Sequence, residues 1–192
     1  MVKYIVKKQG YKMLRLVKPS HEYSAIFLKA LDEYKTDTAK FGLDSMRQLI
    51  KTVEEGKFNE WLEKVKNNDL GINLPDGYVS NTKYWLFNDD EYIGSFTLRH
   101  DINENLMQWG GHVGYVILPS KRGHGYAFAG LQLVLAEAAK RGLKRVLITC
   151  NIENDASFAV INKAKNMYGG EQIEDSHLEG FSEHRVWINT TK

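Results

Sequence analysis

The chain has a single cysteine, Cys150, among 192 residues. A lone thiol excludes an internal disulfide and any multi-cysteine zinc site, so no metal is expected, and it suits a reducing compartment such as the cytoplasm. No apolar run approaches the roughly 20 residues needed to span a bilayer. Nor does the basic start of the chain lead into an apolar stretch of signal-peptide length. A membrane partner is therefore not expected. Charge of one sign is lacking too: 26 Lys and Arg against 24 Asp and Glu leave +2, too little to imply nucleic acid. Lys3, Lys7, Lys8, Lys12, Arg15 and Lys18 precede any acid but alternate with apolar residues, as on a solvated strand face. Repeats and low-complexity segments are missing.

What remains is ordinary globular composition, 43% hydrophobic and 26% charged. The length fits one domain over 1–192 with a sizeable core. Lys12–Val17 reads as a strand stopped by Pro19. Ser20 then reads as the N-cap of a helix to about Glu33, with Ile26, Phe27, Ala30 and Leu31 on its apolar side. Residues 35–80 form a polar, helix-prone insertion with candidate helices at Leu43–Val53 and Phe58–Lys66, then a loop at Gly71–Gly77 around Pro75. Lys83–Phe87 and Tyr92–Arg99 are β-rich runs joined by Asn88-Asp89-Asp90-Glu91, which is hairpin chemistry. His112–Leu118 is a third strand, stopped by Pro119. Gly125–Lys140 carries a helical stripe of Phe128, Leu131, Leu135 and Ala138 and ends at Gly142. Arg145–Cys150 is a buried strand, Asn154–Met167 a helix, and Ile173 with Val186–Ile188 suggests a closing strand pair. The order predicts an α/β fold of the α+β kind: a mixed sheet with helices on its faces.

The most informative stretch is GYVILPSKRGHGYAFAG, residues 114–130. A strand ends, a Pro-Ser-Lys turn follows, and Arg122-Gly123-His124-Gly125-Tyr126-Ala127 opens a helix. Glycines there permit left-handed backbone angles and keep side chains out of a ligand's way. The first N–H groups of a helix lack intrahelical acceptors, and with the positive end of the dipole behind them they form a phosphate site. Lys121 and Arg122 are placed to add charge-assisted contacts. The same glycines also suit a plain tight turn. A P-loop is excluded because no Gly-Lys-Ser/Thr occurs, and a dinucleotide fingerprint fails because its third glycine falls at Phe128.

The spacing Arg122-x-x-Gly125-x-Ala127 between strand and helix resembles the coenzyme signature of the GNAT acetyltransferase superfamily. The segment with Asn151, Asn154, Ser157 and Ile161 through Gly170 is similar to the next family motif, and the terminal Arg185-Val186-Trp187-Ile188 resembles a bacterial subgroup. The resemblance covers residues 80–192 well. It implies a mostly antiparallel sheet of six to seven strands with a splayed central pair, here His112–Leu118 and Arg145–Cys150. Acetyl-CoA would lie in that gap as co-substrate. Main chain at Val116, Ile117 and Leu118 would meet the pantetheine arm. The N–H groups of Arg122, Gly123, His124, Gly125, Tyr126 and Ala127 would hold the pyrophosphate. Asn151, Asn154 and Ser157 would meet the coenzyme tail, although Asn154 equally suits a helix N-cap.

The implied reaction is attack of a primary amine on the thioester, with the Ile117 N–H as oxyanion donor. Ile161 stands where many members carry a tyrosine as general acid. Ser157 is a substitute, and the rival reading is a non-catalytic acyl-CoA module or another phosphate-ligand-binding protein. His112 and His100 are candidate bases, each balanced by a structural role; Glu104 is a third if its loop overhangs the cleft. Cys150 as an acyl carrier is weighed against a small buried residue. The acceptor is a small-molecule or peptide amine, and the resemblance is compatible with a homodimer. The acidic stretch Glu171–Glu183 suits either a steering rim for a cationic amine or a solvated loop. Trp61, Trp85 and Trp109 are candidates for an acceptor pocket or for the core.

Overall fold

The structure is a computed structural model that describes residues 13–192, apart from the side chain of Phe181. The strand face expected of residues 1–12 lies outside the described residues. In chain order the elements are β1 (Leu14–Val17), α1 (His21–Lys35), α2 (Asp44–Glu54), α3 (Phe58–Leu70), β2 (Asn81–Asn88) and β3 (Glu91–Arg99). There follow α4 (Glu104–Gln108), β4 (Val113–Ile117), α5 (Tyr126–Lys140), β5 (Arg145–Asn151), α6 (Asp155–Tyr168), β6 (Gly170–Leu178) and β7 (Phe181–Asn189).

Among the described residues, seven strands form two antiparallel sheets, ordered β1-β2-β3-β4 and β5-β7-β6. The sheets meet where β4 runs beside β5. One main-chain bond joins them there, from the His112 N–H to the Leu147 carbonyl at 2.7 Å. Beyond it no main-chain hydrogen bond links β4 to β5 among the described residues. The expected splayed pair is thus the seam between two sheets, closed at one end and open at the other.

Alternation along the strands sends apolar residues into two separate cores. Leu86, Phe96, Val113, Ile117, Val146 and Ile148 face α5 and α6. Trp85, Phe87, Tyr92 and Leu118 face α1, α2 and α3. Phe27 of α1 is fully buried and stacks on Trp85, centroids 4.2 Å apart. Burying each such side chain contributes about 2–3 kcal/mol. Ile26, expected on the same side, is instead 37% exposed, because the buried stripe is Phe27, Leu31 and Tyr34 at helical spacing. Ser20 does precede α1, yet its side chain makes no capping bond. α5 lies close against β3 because Gly130 has no side chain: a Cβ there would fall 2.4 Å from the Phe96 ring. The helix stops at Gly142, whose φ of +84° is left-handed.

Candidate functional site

A cleft of ≈ 510 Å³ opens at the splayed end of the seam. Its walls are the end of β4, the start of α5, the first turns of α6 and, unforeseen from sequence, the turn Ala39–Gly42 after α1. The glycine loop forms one end. Gly123 and Gly125 have φ of +77° and +81°, a region that L side chains adopt at a cost of about 1–2 kcal/mol. The first main-chain donor engaged within α5 is that of Ala129, which bonds the Gly125 carbonyl at 3.1 Å. The N–H groups of Ala127 and Phe128 therefore have no intrahelical acceptor. Gly123, Gly125, Tyr126 and Ala127 all line the cleft, so these donors and the helix dipole meet at one concave end.

The Arg122 guanidinium is not left to a ligand alone. Its Nε donates to the Ile117 carbonyl at 3.1 Å, and its two terminal nitrogens clasp the carboxylate of Asp37. That ion pair holds the Asp37 carboxyl below the usual carboxylate range. Asp37 also accepts from the Ala39 N–H at 3.0 Å, so one buried carboxylate ties the glycine loop to the turn that walls the cleft. Lys121 is paired with Glu91 at 2.5 Å. His124 does not line the cleft, and its Nδ1–H donates to the Arg122 carbonyl at 2.7 Å.

The register of β4 decides which of its main-chain groups face the gap. Leu118 N–H bonds the Ile93 carbonyl and Arg99 N–H bonds the His112 carbonyl, both across to β3. In an antiparallel ladder such exchanging pairs recur at every second residue, so Gly114, Val116 and Leu118 spend their main chain on β3. Tyr115 and Ile117 turn theirs to the open side. Of the three positions expected to meet a pantetheine arm, only Ile117 therefore presents its N–H to the gap. Val116 lines the cleft by side chain, and Leu118 is core.

Tyr115 supplies a hydroxyl that sequence reading did not place. Its ring stacks on Phe96 at 5.5 Å and its OH lies 2.9 Å from Ser157 Oγ. Burial pushes the phenol up to about 12. Ser157 sits in the first turn of α6 because Asn154 caps it, Oδ1 accepting the Ser157 N–H at 3.1 Å. Ile161, one turn on, is fully buried in the core. The Cys150 thiol lies beside Ser157, and burial pushes it up to about 12, far from a reactive thiolate. Asn151 does not line the cleft; its Oδ1 accepts the Glu153 N–H at 2.9 Å and shapes the loop into α6.

Both histidines lie outside the cleft lining. His100 Nε2 is 2.8 Å from Thr82 Oγ1, in a cluster with Asp69 and Arg141 that joins α3, β2 and α5. His112 is 5% exposed. Its ring Nδ1 accepts the Leu147 N–H at 2.9 Å while its main-chain N–H donates to the Leu147 carbonyl, so this residue pins the closed end of the seam. Burial lowers its imidazole to about 4. The folded state thus favours the neutral ring, whereas the unfolded chain takes up a proton near 6.5. The stability this group contributes is complete above pH 6.5 and is lost as pH falls toward 4, about 3 kcal/mol in all. Urea unfolding of His112→Asn across that window is expected to show a shallower acid loss than wild type. Parallel curves would refute the assignment.

Glu183 of β7 is opposite Asn151 of β5 in register and so shares its face of the sheet, the one away from Cys150. Burial raises its carboxyl, with the Thr149 hydroxyl beside it offsetting part of the shift. Thr149 Oγ1 in turn accepts the Gly110 N–H at 2.8 Å. The rest of the acidic stretch is partly neutralised: Glu171 pairs with Arg145, and Asp175 lies 3.0 Å from His184. Trp61 and Trp85 belong to the aromatic stack around Phe27, and Trp109 is 52% exposed.

Known proteins share this architecture. No curated protein matches the sequence. Among solved structures, RimL, a ribosomal L7/L12 alpha-N-protein acetyltransferase held with coenzyme A through a coenzyme–cysteine disulfide, aligns at TM-score 0.67 and 19% identity, covering 98% of this chain and 100% of that one. Mycobacterium smegmatis RimJ in complex with a CoA disulfide aligns at 0.62 and 17%, covering 92% and 82%. A chimera of Vibrio cholerae spermidine N-acetyltransferase SpeG with hSSAT aligns at 0.57 and 13%, covering 92% and 95%. At such identities the likeness is one of fold. The model of the acetyltransferase (GNAT) domain matches residues 14–165, which include β4, the glycine loop, α5, β5 and nearly all of α6. The chain belongs to the GNAT acetyltransferase family.

Proposed function

We propose that the chain, as a single domain, transfers an acetyl group from acetyl-CoA to a primary amine by direct attack on the thioester. The observation that carries this reading is the cleft itself: outward main-chain donors at the start of α5 at one end, and the unpaired edge of β4 leading away from them. A diphosphate on the first and a pantetheine arm along the second bring the thioester beside Tyr115, Ile117 and Ser157. The Ile117 N–H is aimed into the gap, where it stabilises the oxyanion that forms as the amine adds to the acetyl carbon. Glu183, on the face opposite the α5–α6 layer, takes the ammonium proton before attack. Burial keeps its carboxyl closer to the amine's range than a solvated carboxylate. As the C–S bond breaks, the Tyr115–Ser157 hydroxyl pair returns a proton to the departing sulfur. This pair takes the place of the missing hydroxyl at Ile161. His112 and His100 are assigned structural roles.

A thermal-shift titration tests the reading. Acetyl-CoA at 100 times its Kd is expected to stabilise the fold by about 2.7 kcal/mol through mass action, with ATP and NAD without effect. Thiol release with an amine panel then separates an enzyme from a binding module. Binding without any thiol release would leave the chain a non-catalytic acyl-CoA module. Stabilisation by ATP alone would point to a different phosphate ligand.

A further inference from the structure

The face of β2–β3–β4 that carries Trp85 and Val116 has a second row, Lys83, Thr97 and Gly114, directly opposite one another in register. Opposed residues share a face, so these three lie side by side beneath the same space. Three observations bear on what that space holds. A side chain at Gly114 would meet no atom within 4 Å, and its φ is not positive. Neither backbone strain nor crowding therefore requires glycine there, and its effect is to leave open space over this row of the sheet, a hollow between the neighbouring side chains. Lys83 stands at the foot of that hollow: partly solvent-accessible, yet surrounded closely enough that burial lowers its ammonium to about 8. Its only hydrogen bond among the described residues goes to Thr97 Oγ1 at 3.2 Å, and no carboxylate lies within ion-pair distance. In the next row Arg99 is likewise without a carboxylate, its guanidinium spent on the Gly110 and Gly111 carbonyls at 2.7 and 3.0 Å.

Two neighbouring half-buried cations with no carboxylate partner among the described residues are costly, because each loses hydration and repels the other. Structural ammoniums are ordinarily paired. An arrangement that leaves both unpaired beside an empty hollow is what an anion-binding subsite looks like before its ligand arrives.

We propose that the hollow over Gly114, walled by Lys83, Thr97 and Arg99, receives a carboxylate or phosphate group of the acceptor whose amine is acetylated. This rests on the acetyl-transfer reading above. The row lies three residues back along β4 from Ile117, roughly 10 Å at strand rise. The acceptor therefore carries its anion at the far end of a short chain from its amine. Glu183 lies across the seam on the adjoining sheet, so one substrate would offer its ammonium to Glu183 and its anion to Lys83. An acceptor of both charges, such as an ω-amino acid, an amino phosphate or a peptide end, meets that demand better than a polyamine.

The test compares kcat/KM for three amines of matched length: an ω-amino carboxylate, the corresponding amino phosphate, and a neutral or dicationic amine. Preference of at least about tenfold for either anionic amine supports the subsite, and the stronger of the two identifies the group it takes. Lys83→Met keeps the aliphatic stem and removes a buried charge that has no carboxylate partner, so its melting temperature is expected to hold or rise. It is expected to lower kcat/KM for the anionic amines at least about tenfold more than for the neutral one. Gly114→Leu, which fills the hollow on ordinary strand backbone, is expected to lose the anionic acceptors while acetyl-CoA affinity stays unchanged. Equal use of all three amines, or an equal loss for all of them in Lys83→Met, overturns the subsite and leaves acetyl transfer standing. Failure of every amine, whatever its charge, overturns acetyl transfer and the subsite with it.

Discussion

Gly125→Val is expected to weaken acetyl-CoA binding at least about 100-fold while the protein remains folded. The residue stands at φ +81°, immediately before α5. A β-branched side chain there costs about 1–3 kcal/mol of backbone strain if the loop keeps its shape, and it projects a branch toward the donors of the cradle. If the loop relaxes instead, the N–H groups of Tyr126 and Ala127 swing away from a common focus. Either way two or three charge-assisted bonds to phosphate are lost, each contributing about 1.5–3 kcal/mol. That is at least about 3 kcal/mol, or roughly two orders of magnitude in Kd. The melting temperature should fall by no more than about 2–12 °C, since each 1 kcal/mol of that strain corresponds to about 2–4 °C in a chain this long. Calorimetry on the variant checks both. Wild-type affinity would remove the helix start from the coenzyme site, and with it the basis for placing the thioester at Ile117.

For Glu183→Gln the expected result is a loss of kcat/KM of about 100-fold or more with acetyl-CoA affinity unchanged, since general-base steps contribute typically 10²–10⁴-fold. Glutamine keeps the size of the side chain and a bond to Thr149 but removes the proton acceptor. The raised carboxyl also fixes the sign of the pH profile. A base works only when deprotonated, so wild-type kcat/KM should fall as pH drops through a pKa above the ordinary glutamate value of 4.5. That limb should be absent in the variant. A variant of near-normal rate, or one that keeps the acid limb, assigns the proton to another group.

The glycine loop was legible in sequence because it is local. A left-handed pair of glycines, a strand stop at Pro119 and an apolar helical stripe all fall within residues 114–138, and each acts through neighbours a turn or less away. The Asn154 cap was readable for the same reason. The long-range contacts that assemble the rest of the cleft were not. Asp37 grips Arg122 from 85 positions away, and nothing in the sequence around Asp37 announces a partner. Tyr115 and Ser157 are 42 positions apart and meet because β4 and α6 converge on one core. The surroundings of the histidines were out of reach for a related reason: a residue type shows what a group is able to titrate, while His112 owes its bond to Leu147 to the meeting of two sheets.

The sequence by itself determined most of the elements and their order, the glycine-opened start of α5 and the family resemblance, all of which rest on short-range backbone preferences and hydrophobic period; the short helix α4 was not among them. Tertiary structure alone decided which strand edge stays unpaired, which N–H groups of β4 look into the gap, and which charges are left without partners. Pairing register and burial are set by contacts between segments far apart in the chain, and the same lysine is a solvated charge or the foot of a binding hollow according to what folds around it.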